Sequence, residues 1–171
     1  MRDRRRPRLA AASAFIALTA GVCLTSCGAA AARVGGGVSS RSTEEVTARH
    51  EAGLGSILVD GAGYTLYAYM PDRQGPSRCA GRCAIEWPPL LLPRGASRAI
   101  AGQGVRSSLL GTTRRPNGRL QVTYDRWPLY LYEQDSSPGE INGQAESMGL
   151  WYVVGADGQI DRGVVPASAD D

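Results

Sequence analysis

The sequence Tyr-Ala-Tyr-Met-Pro-Asp at positions 67–72 returns 63 residues later as Tyr-Leu-Tyr-Glu-Gln-Asp at positions 130–135. Side chains alternate between the two faces of an extended strand, so the two tyrosines of each motif share one face and the aliphatic residues beside them share the other. Such alternation is typical of a β-strand. The two stretches therefore predict two equivalent strands within one fold.

The same shift of 63 residues aligns positions on either side of the two motifs. Val59 falls on Val122, while Trp87 falls one residue short of Trp151. Two copies are too few to stack as an open solenoid. We expect a compact all-β domain of two pseudo-symmetric repeats, arranged as a sandwich, a barrel or a meander.

The limits of the domain follow from the distribution of aromatic residues. All ten aromatic residues beyond the leader lie within 64–152, and a segment of this length can bury a core. We place the domain at 54–166, with copy one at 55–92, copy two at 118–155 and a disordered tail at 167–171.

Short apolar and aromatic runs bounded by Gly, Pro, Asn and Asp predict the individual elements. A proline pair at positions 88 and 89 stops the helical turn that precedes it. Residues 93–108 show no clear pattern. Strands are expected at 57–59 and 64–69 as a hairpin, at 120–124 after a Pro-Asn-Gly turn, at 128–132 and at 151–154, and one helical turn is expected at 83–87.

Composition and charge exclude several classes of function. The 19 basic residues are all arginine and His50 is the single histidine, which excludes lysine-dependent motifs and His-rich metal sites. Five arginines against one aspartate give +4 in residues 1–26, and fourteen arginines against fifteen acids give −1 in 27–171. Nucleic-acid binding requires a basic surface. We therefore expect no nucleic-acid partner, and also no enzymatic activity, metal or cofactor.

Residues 1–26 have the features of an export signal. Arginines between positions 2 and 8 precede an apolar run of 16 residues at 9–24. This run is shorter than the roughly 20 residues that span a bilayer and fits the central region of a signal peptide. An arginine pair at positions 5 and 6 leaves the twin-arginine export route open beside general secretion.

The leader ends in Leu-Thr-Ser-Cys at positions 24–27. This pattern resembles the lipobox of bacterial lipoproteins, in which a signal peptidase cleaves before the cysteine and its sulfur carries a diacylglycerol. Cys23 is a poorer candidate because Val22 would precede it, and a chance cysteine after an ordinary signal peptide is the alternative. We predict lipid attachment at Cys27, with the lipid membrane as partner and the extracytoplasmic face of the cell membrane as location.

The segment 27–53 is predicted to be a flexible tether. It is rich in Ala, Gly, Ser, Thr and charge and contains no aromatic residue, so it buries too little surface to offset the entropy of ordering. A short helix at 43–51 is an alternative for its end. His50 is interpreted as a solvated residue of this tether.

The pair Cys79 and Cys83 is the sharpest chemical feature of the domain. Two thiols this close should oxidise to a disulfide outside the cytoplasm. A redox-active pair is an alternative, with Arg82 stabilising a thiolate, and so is Cu(I) binding with Met70 or Met148 as a further ligand. Structural zinc would require four ligands.

The tyrosines and aspartates of the two motifs are candidate ligand-binding residues. Aromatic faces could stack on a sugar or a cell-wall fragment while a carboxylate accepts its hydrogen bonds. Alternatively, both faces are covered, the hydroxyls bond buried partners and each aspartate caps the following turn. The candidates are Tyr67, Tyr69, Asp72, Tyr130, Tyr132 and Asp135.

Together, these motifs resemble a bacterial lipoprotein family marked by Tyr-x-aromatic-x-x-Asp, the secreted repeat of unknown function. The resemblance covers nearly all of 55–155, although copy two lacks the cysteine pair and the Trp-Pro-Pro turn. It implies an exported lipoprotein with paired repeats and no established activity. Further matching segments are Leu58-Val59-Asp60, Ser77-Arg78-Cys79, Trp87-Pro88-Pro89-Leu90 and Trp151-Tyr152-Val153-Val154.

The expected function is that of a membrane-anchored extracytoplasmic protein that binds an envelope ligand or protein, or that supports envelope structure. The alternative is a redox or copper-handling envelope protein that uses Cys79 and Cys83.

Overall fold

The computed structural model describes residues 44–163. The predicted signal peptide, Cys27, most of the tether and the predicted tail lie outside the described residues. Strands in three sheets dominate, which confirms the all-β prediction. The strands are β1 (Glu45–Glu51), β2 (Gly55–Asp60), β3 (Tyr67–Tyr69), β4 (Ile100–Ala101), β5 (Leu110–Arg114), β6 (Leu120–Tyr124), β7 (Trp127–Pro128) and β8 (Trp151–Val153). The short α-helices are α1 (Cys83–Glu86) and α2 (Glu146–Gly149), and single 3-10 turns lie at Met70–Asp72 and Ser107–Leu109.

The sheets have the strand orders β2-β1-β4, β3-β8 and β5-β6-β7. The hairpins β1–β2 and β5–β6 are both antiparallel and occupy equivalent positions at the shift of 63 residues. Each repeat therefore begins with a hairpin, which confirms the two-repeat architecture. Within residues 44–163, no helix has the length and apolar character needed to cross a membrane.

Strand β1 corrects the prediction for the end of the tether. Residues 45–51 form a strand rather than a flexible segment or a helix, so the domain begins earlier than 54. The physical reason is the β-branched pair Val46 and Thr47, with Val46 fully buried, and a turn in which Gly53 and Gly55 take positive φ. His50 lies exposed within this strand.

The remaining elements agree with the sequence prediction in part. Strand β6 coincides with the predicted strand at 120–124, and α1 lies within the predicted helical turn. The expected hairpin between 57–59 and 64–69 forms at its turn end only, where the Asp60 amide donates to the Tyr64 carbonyl and the Leu66 amide donates to the Leu58 carbonyl. Further along, β3 pairs with β8 instead. Strands β4 and β5 have no counterpart in the prediction.

The two repeats are interlaced. The Leu58 amide donates to the Val154 carbonyl at 2.8 Å, so the end of repeat two lies against the hairpin of repeat one. The Val122 amide donates to the Leu90 carbonyl, also at 2.8 Å, so the end of repeat one lies against the hairpin of repeat two. Each hairpin is thus completed by a segment of the other repeat.

Two buried clusters lie on opposite faces of the motif segments. Leu66, Ala68 and Leu129 belong to an aliphatic cluster. Tyr67 and Tyr130 belong to a second cluster that is mostly aromatic. This division confirms the alternation read from the sequence.

Candidate functional site

The two motifs meet at the centre of the domain. The Tyr67 amide donates to the Tyr130 carbonyl at 2.9 Å, and the Tyr130 amide donates to the Tyr67 carbonyl at 3.0 Å. Both side chains are fully buried. The first tyrosines of the two motifs are therefore direct neighbours on the pseudo-symmetry axis.

Each motif tyrosine bonds the aspartate of the other repeat. The Tyr67 hydroxyl donates to Asp135 Oδ2 at 2.7 Å, and the Tyr130 hydroxyl donates to Asp72 Oδ2 at 2.7 Å. Both carboxyl groups are buried. The repeated spacing thus builds two reciprocal bonds that link the repeats, and we call this arrangement the Tyr–Asp exchange.

The second oxygen of each carboxyl group fixes a loop. Asp72 Oδ1 accepts the Arg78 amide at 2.7 Å, and Asp135 Oδ1 accepts the Asn142 amide at 2.9 Å. The partners lie six and seven residues further along the chain, beyond the reach of an ordinary turn cap. Each aspartate therefore holds a whole loop against the motif tyrosine of the other repeat.

Burial shifts the pKa of all four groups in the Tyr–Asp exchange. It raises the pKa of Asp72 and Asp135, while the bonds from the tyrosine hydroxyls oppose that shift. Burial, together with the neighbouring carboxyl groups, raises the pKa of Tyr67 and Tyr130 far above the ordinary value of 10.0. The two hydroxyls are therefore protonated donors at neutral pH.

Arg115 extends the exchange in one repeat only. This arginine is 7% exposed, and its guanidinium donates to Ser77 Oγ at 2.5 Å and to the Cys79 carbonyl at 2.7 Å. Ser77 Oγ lies 2.7 Å from the Tyr130 hydroxyl, and Gln121 Oε1 accepts from Arg115 at 2.7 Å. Nothing in the sequence separates Arg115 from the other arginines, since its partners are distant along the chain.

Four aromatic rings form a stacked column beside the exchange. Tyr69 stacks on Trp151 with centroids 4.4 Å apart, Trp151 on Trp87 at 3.9 Å, and Trp87 on Tyr132 at 4.0 Å. The equivalent rings of the two repeats thus occupy equivalent places in the column. Stacking between aromatic rings adds to the stabilisation from buried area.

The motif residues predicted to bind a ligand are mostly internal. Five of the six are buried, and their rings and carboxyl groups contact other residues of the domain. Tyr69 is the half-buried exception. Tyr69 and Tyr132 already stack on tryptophan, and Tyr67 and Tyr130 contact tryptophan edge to face. Ligand binding by the motif residues stays a prediction. The five buried residues are Tyr67, Asp72, Tyr130, Tyr132 and Asp135.

The cysteine pair forms a disulfide between Cys79 and Cys83, with Cα atoms 5.3 Å apart. Cys79 is buried and Cys83 is half-buried at the start of α1. Because Arg115 bonds the Cys79 carbonyl, the disulfide loop is attached to the exchange. Within residues 44–163, no group of three or more His, Cys, Asp or Glu residues is placed to hold a metal ion.

A shallow depression of about 410 Å³ opens between the start of β2 and the segment after β8. Its two acidic residues are engaged in their own turns, since Asp157 accepts the Gln159 amide and Asp161 accepts the Gly163 amide. These carboxylates have the contacts of turn caps.

Comparison with known proteins agrees with this geometry. A family described as a secreted repeat of unknown function matches residues 49–91 and 111–155, which together make up more than half of the chain. The chain belongs to this family. The two matched segments are the two interlaced repeats, each with one hairpin and one Tyr-x-Tyr-x-x-Asp motif. The description of the family as secreted indicates a location outside the cytoplasm. No curated protein and no solved structure matches the chain.

Proposed function

We propose that this secreted repeat protein is a lipid-anchored, non-catalytic binding module of the cell envelope. The observation that carries the proposal is the Tyr–Asp exchange. The motif that defines the repeats has its hydroxyl and carboxyl groups engaged with each other, which supports a role in building a rigid domain. A partner would then be bound by the surface of that domain.

The exchange also supports the absence of catalysis at the motif. Asp72 Oδ2 accepts the Tyr130 hydroxyl and its Oδ1 accepts a backbone amide. A general acid or base needs access to the proton that it transfers to or from the substrate. A carboxyl group that is 2% exposed and bonded at both oxygens lacks that access.

The proposed anchor rests on Cys27 and the Leu-Thr-Ser sequence before it. Two or more acyl chains are needed for stable membrane attachment, since a single chain gives only marginal binding. Diacylglyceryl modification of Cys27 would meet that requirement.

The test of the anchor compares Cys27→Ser with Cys23→Ser, a matched control in the same leader. The Cys27→Ser chain should lose its lipid and leave the membrane fraction, whereas the Cys23→Ser chain should keep both. Cell fractionation and mass spectrometry of the mature N-terminus provide the measurements. A Cys27→Ser chain that stays membrane-bound with an unmodified N-terminus would contradict the proposal.

A redox or copper-handling role is the second candidate, and the disulfide is the observation that favours it. Thiol titration of the native protein purified without reductant separates the two proposals. A disulfide that resists mild reduction in the folded protein supports the binding module. A reversible couple, or copper that co-purifies with free thiols, supports the redox role.

A further inference from the structure

An apolar depression rimmed by arginine lies next to the first motif. It has a volume of about 530 Å³ and is lined by Met70, Pro71 and Leu150 together with Arg73 and Arg78. Both arginines are exposed. A surface that joins apolar side chains to cationic ones fits a partner that is itself both apolar and anionic.

Arg162 adds a third cation to this surface. Its guanidinium nitrogen Nη2 lies 3.7 Å from Met70 Sδ, and its Cζ lies 5.3 Å from the centroid of the Tyr152 ring. Arg162 is exposed. We call the depression, its two lining arginines, Arg162 and the adjoining Met148 the arginine-rimmed face.

The arginines of this face form no salt bridge within the described residues, although the charge of Arg78 acts on the buried carboxyl group of Asp72. Within residues 44–163, the ion pair that the structure shows joins Arg49 to Glu51. Asp72, the acidic residue between the lining residues, is buried and bonded to Tyr130. The positive charge of the face is therefore available to an external anion.

Met148 lies in α2, where the non-helical φ and ψ of Ser147 and Met148 make the segment a loop rather than a regular helical turn. This loop leads into Leu150, which lines the depression. The Met148 side chain is fully exposed at 100%, two residues before Leu150, which is itself 36% exposed. The φ of Met148 is 61°, and Ala145 and Ser147 in the same loop also have positive φ. Left-handed backbone is unfavourable for residues other than glycine and tends to occur at functional sites. This strained loop presents an apolar side chain to solvent.

The length of chain between the proposed anchor and the domain allows this face to meet the membrane. Residues 28–43 separate Cys27 from the first described residue, and 16 residues span at most roughly 55 Å when fully extended. A compact domain of 120 residues is about 35 Å across, from a radius of gyration near 14 Å. Every face of the domain can therefore reach the membrane.

We propose that the arginine-rimmed face docks on the anionic surface of the membrane that holds the lipid anchor, with Met148 and Leu150 entering the interface between headgroups and acyl chains. This inference rests on the proposed anchor for the proximity of the membrane. Arginine bonds phosphate oxygens in a bidentate manner, and exposed apolar side chains gain free energy on leaving water. Docking would fix the orientation of the domain on the bilayer.

The test uses the mature chain, residues 27–171, carrying Cys27→Ser so that no lipid contributes. The probes are vesicles of equal parts phosphatidylglycerol and phosphatidylcholine, and vesicles of phosphatidylcholine alone, with sedimentation as the measurement. The chain should bind the anionic vesicles and not the neutral ones. Added salt should weaken the binding, because exposed charges are screened.

Matched variants locate the binding. Each arginine near an anionic surface contributes a factor of about five in partitioning, so Arg73→Gln with Arg78→Gln should weaken binding by about 25-fold. Met148→Ser should weaken it by about tenfold, from the loss of one inserted apolar side chain. Arg94→Gln with Arg98→Gln removes the same charge elsewhere, and Ile100→Ser removes another exposed apolar side chain. Both controls should bind as the parent does.

The outcomes separate this inference from the proposed function. Controls that weaken binding as much as the face variants would overturn the docking face. A chain that binds polyglutamate but no vesicle would also overturn it, in favour of an acidic protein partner. If the Cys27→Ser chain ignores vesicles while the native chain stays lipidated in cells, docking fails and the anchor stands. If the native chain carries no lipid while vesicle binding persists, the anchor fails and docking stands.

Discussion

The exchange of partners between the repeats can be measured by double-mutant cycles. Tyr67→Phe removes one hydroxyl and leaves Asp135 Oδ2 without its donor at 2.7 Å. The same tyrosine lies five residues before Asp72, the aspartate of its own motif, and makes no hydrogen bond to it. The cycle of Tyr67→Phe with Asp135→Ala should therefore show coupling that the cycle with Asp72→Ala does not.

The magnitude follows from the burial of both partners. Depriving a buried acceptor of its hydrogen bond costs about 2 kcal/mol. For a domain of 120 residues, this loss lowers the melting temperature by about 8 °C. The coupling free energy for Tyr67 with Asp135 should be about 1–2 kcal/mol, and that for Tyr67 with Asp72 should stay below about 0.5 kcal/mol.

The assay is urea unfolding of the mature chain without reductant, followed by tryptophan fluorescence, with the disulfide intact in every variant. Trp87 and Trp151 stack on each other in the buried column and should report loss of the core. The reciprocal cycle, Tyr130→Phe with Asp72→Ala, serves as an internal replicate. Equal coupling in the partner and non-partner cycles would refute the exchange, as would stronger coupling within one motif than between motifs.

Two further predictions concern alkaline pH and the disulfide. Burial and the neighbouring carboxyl groups raise the pKa of Tyr67 and Tyr130 above the unfolded value of 10.0, so the stability they contribute is complete below about pH 10 and lost as the pH rises further. Phenolate absorbance should show these two hydroxyls ionising only as the domain unfolds, and ionisation in a still-folded domain would contradict this. Replacing Cys79 and Cys83 by serine removes a five-residue loop closure worth roughly 2 kcal/mol, so the melting temperature should fall by about 8 °C. An unchanged melting temperature would show that the disulfide adds no stability.

The features that could be predicted from the sequence are those encoded locally. The alternation of Tyr67 and Ala68 specifies which side chains share a face, whatever the strand later pairs with. The turn before β6 placed that strand correctly. Strand β1 was missed because all of its residues except Val46 and Ala48 are polar or charged. Its stability comes from pairing with β2, which the local sequence does not show.

The partners of the site residues could not be predicted, because they depend on the interlacing of the repeats. The repeat indicates that the two tyrosines are equivalent to each other and that the two aspartates are too. This equivalence is compatible both with Tyr–Asp hydrogen bonds within each motif and with Tyr–Asp hydrogen bonds between the motifs. Arg115 presents the same difficulty, since Ser77 and Cys79 approach it only in the finished fold. Such contacts have large separations along the chain, where local patterns carry no information.

The interlacing has a consequence for biogenesis. The hairpin made early in synthesis donates from its Leu58 amide to the carbonyl of Val154, which lies late in the sequence. One edge of the hairpin therefore stays unpaired until Val154 has emerged. Pairing between residues this far apart in sequence slows folding, because the entropy of closing the intervening loop is lost before the stabilising contacts can form. The polypeptide would therefore remain unfolded during most of its translocation across the membrane and would then fold in a single cooperative step. Protease sensitivity would end abruptly at that moment, with no stable half-formed product before it.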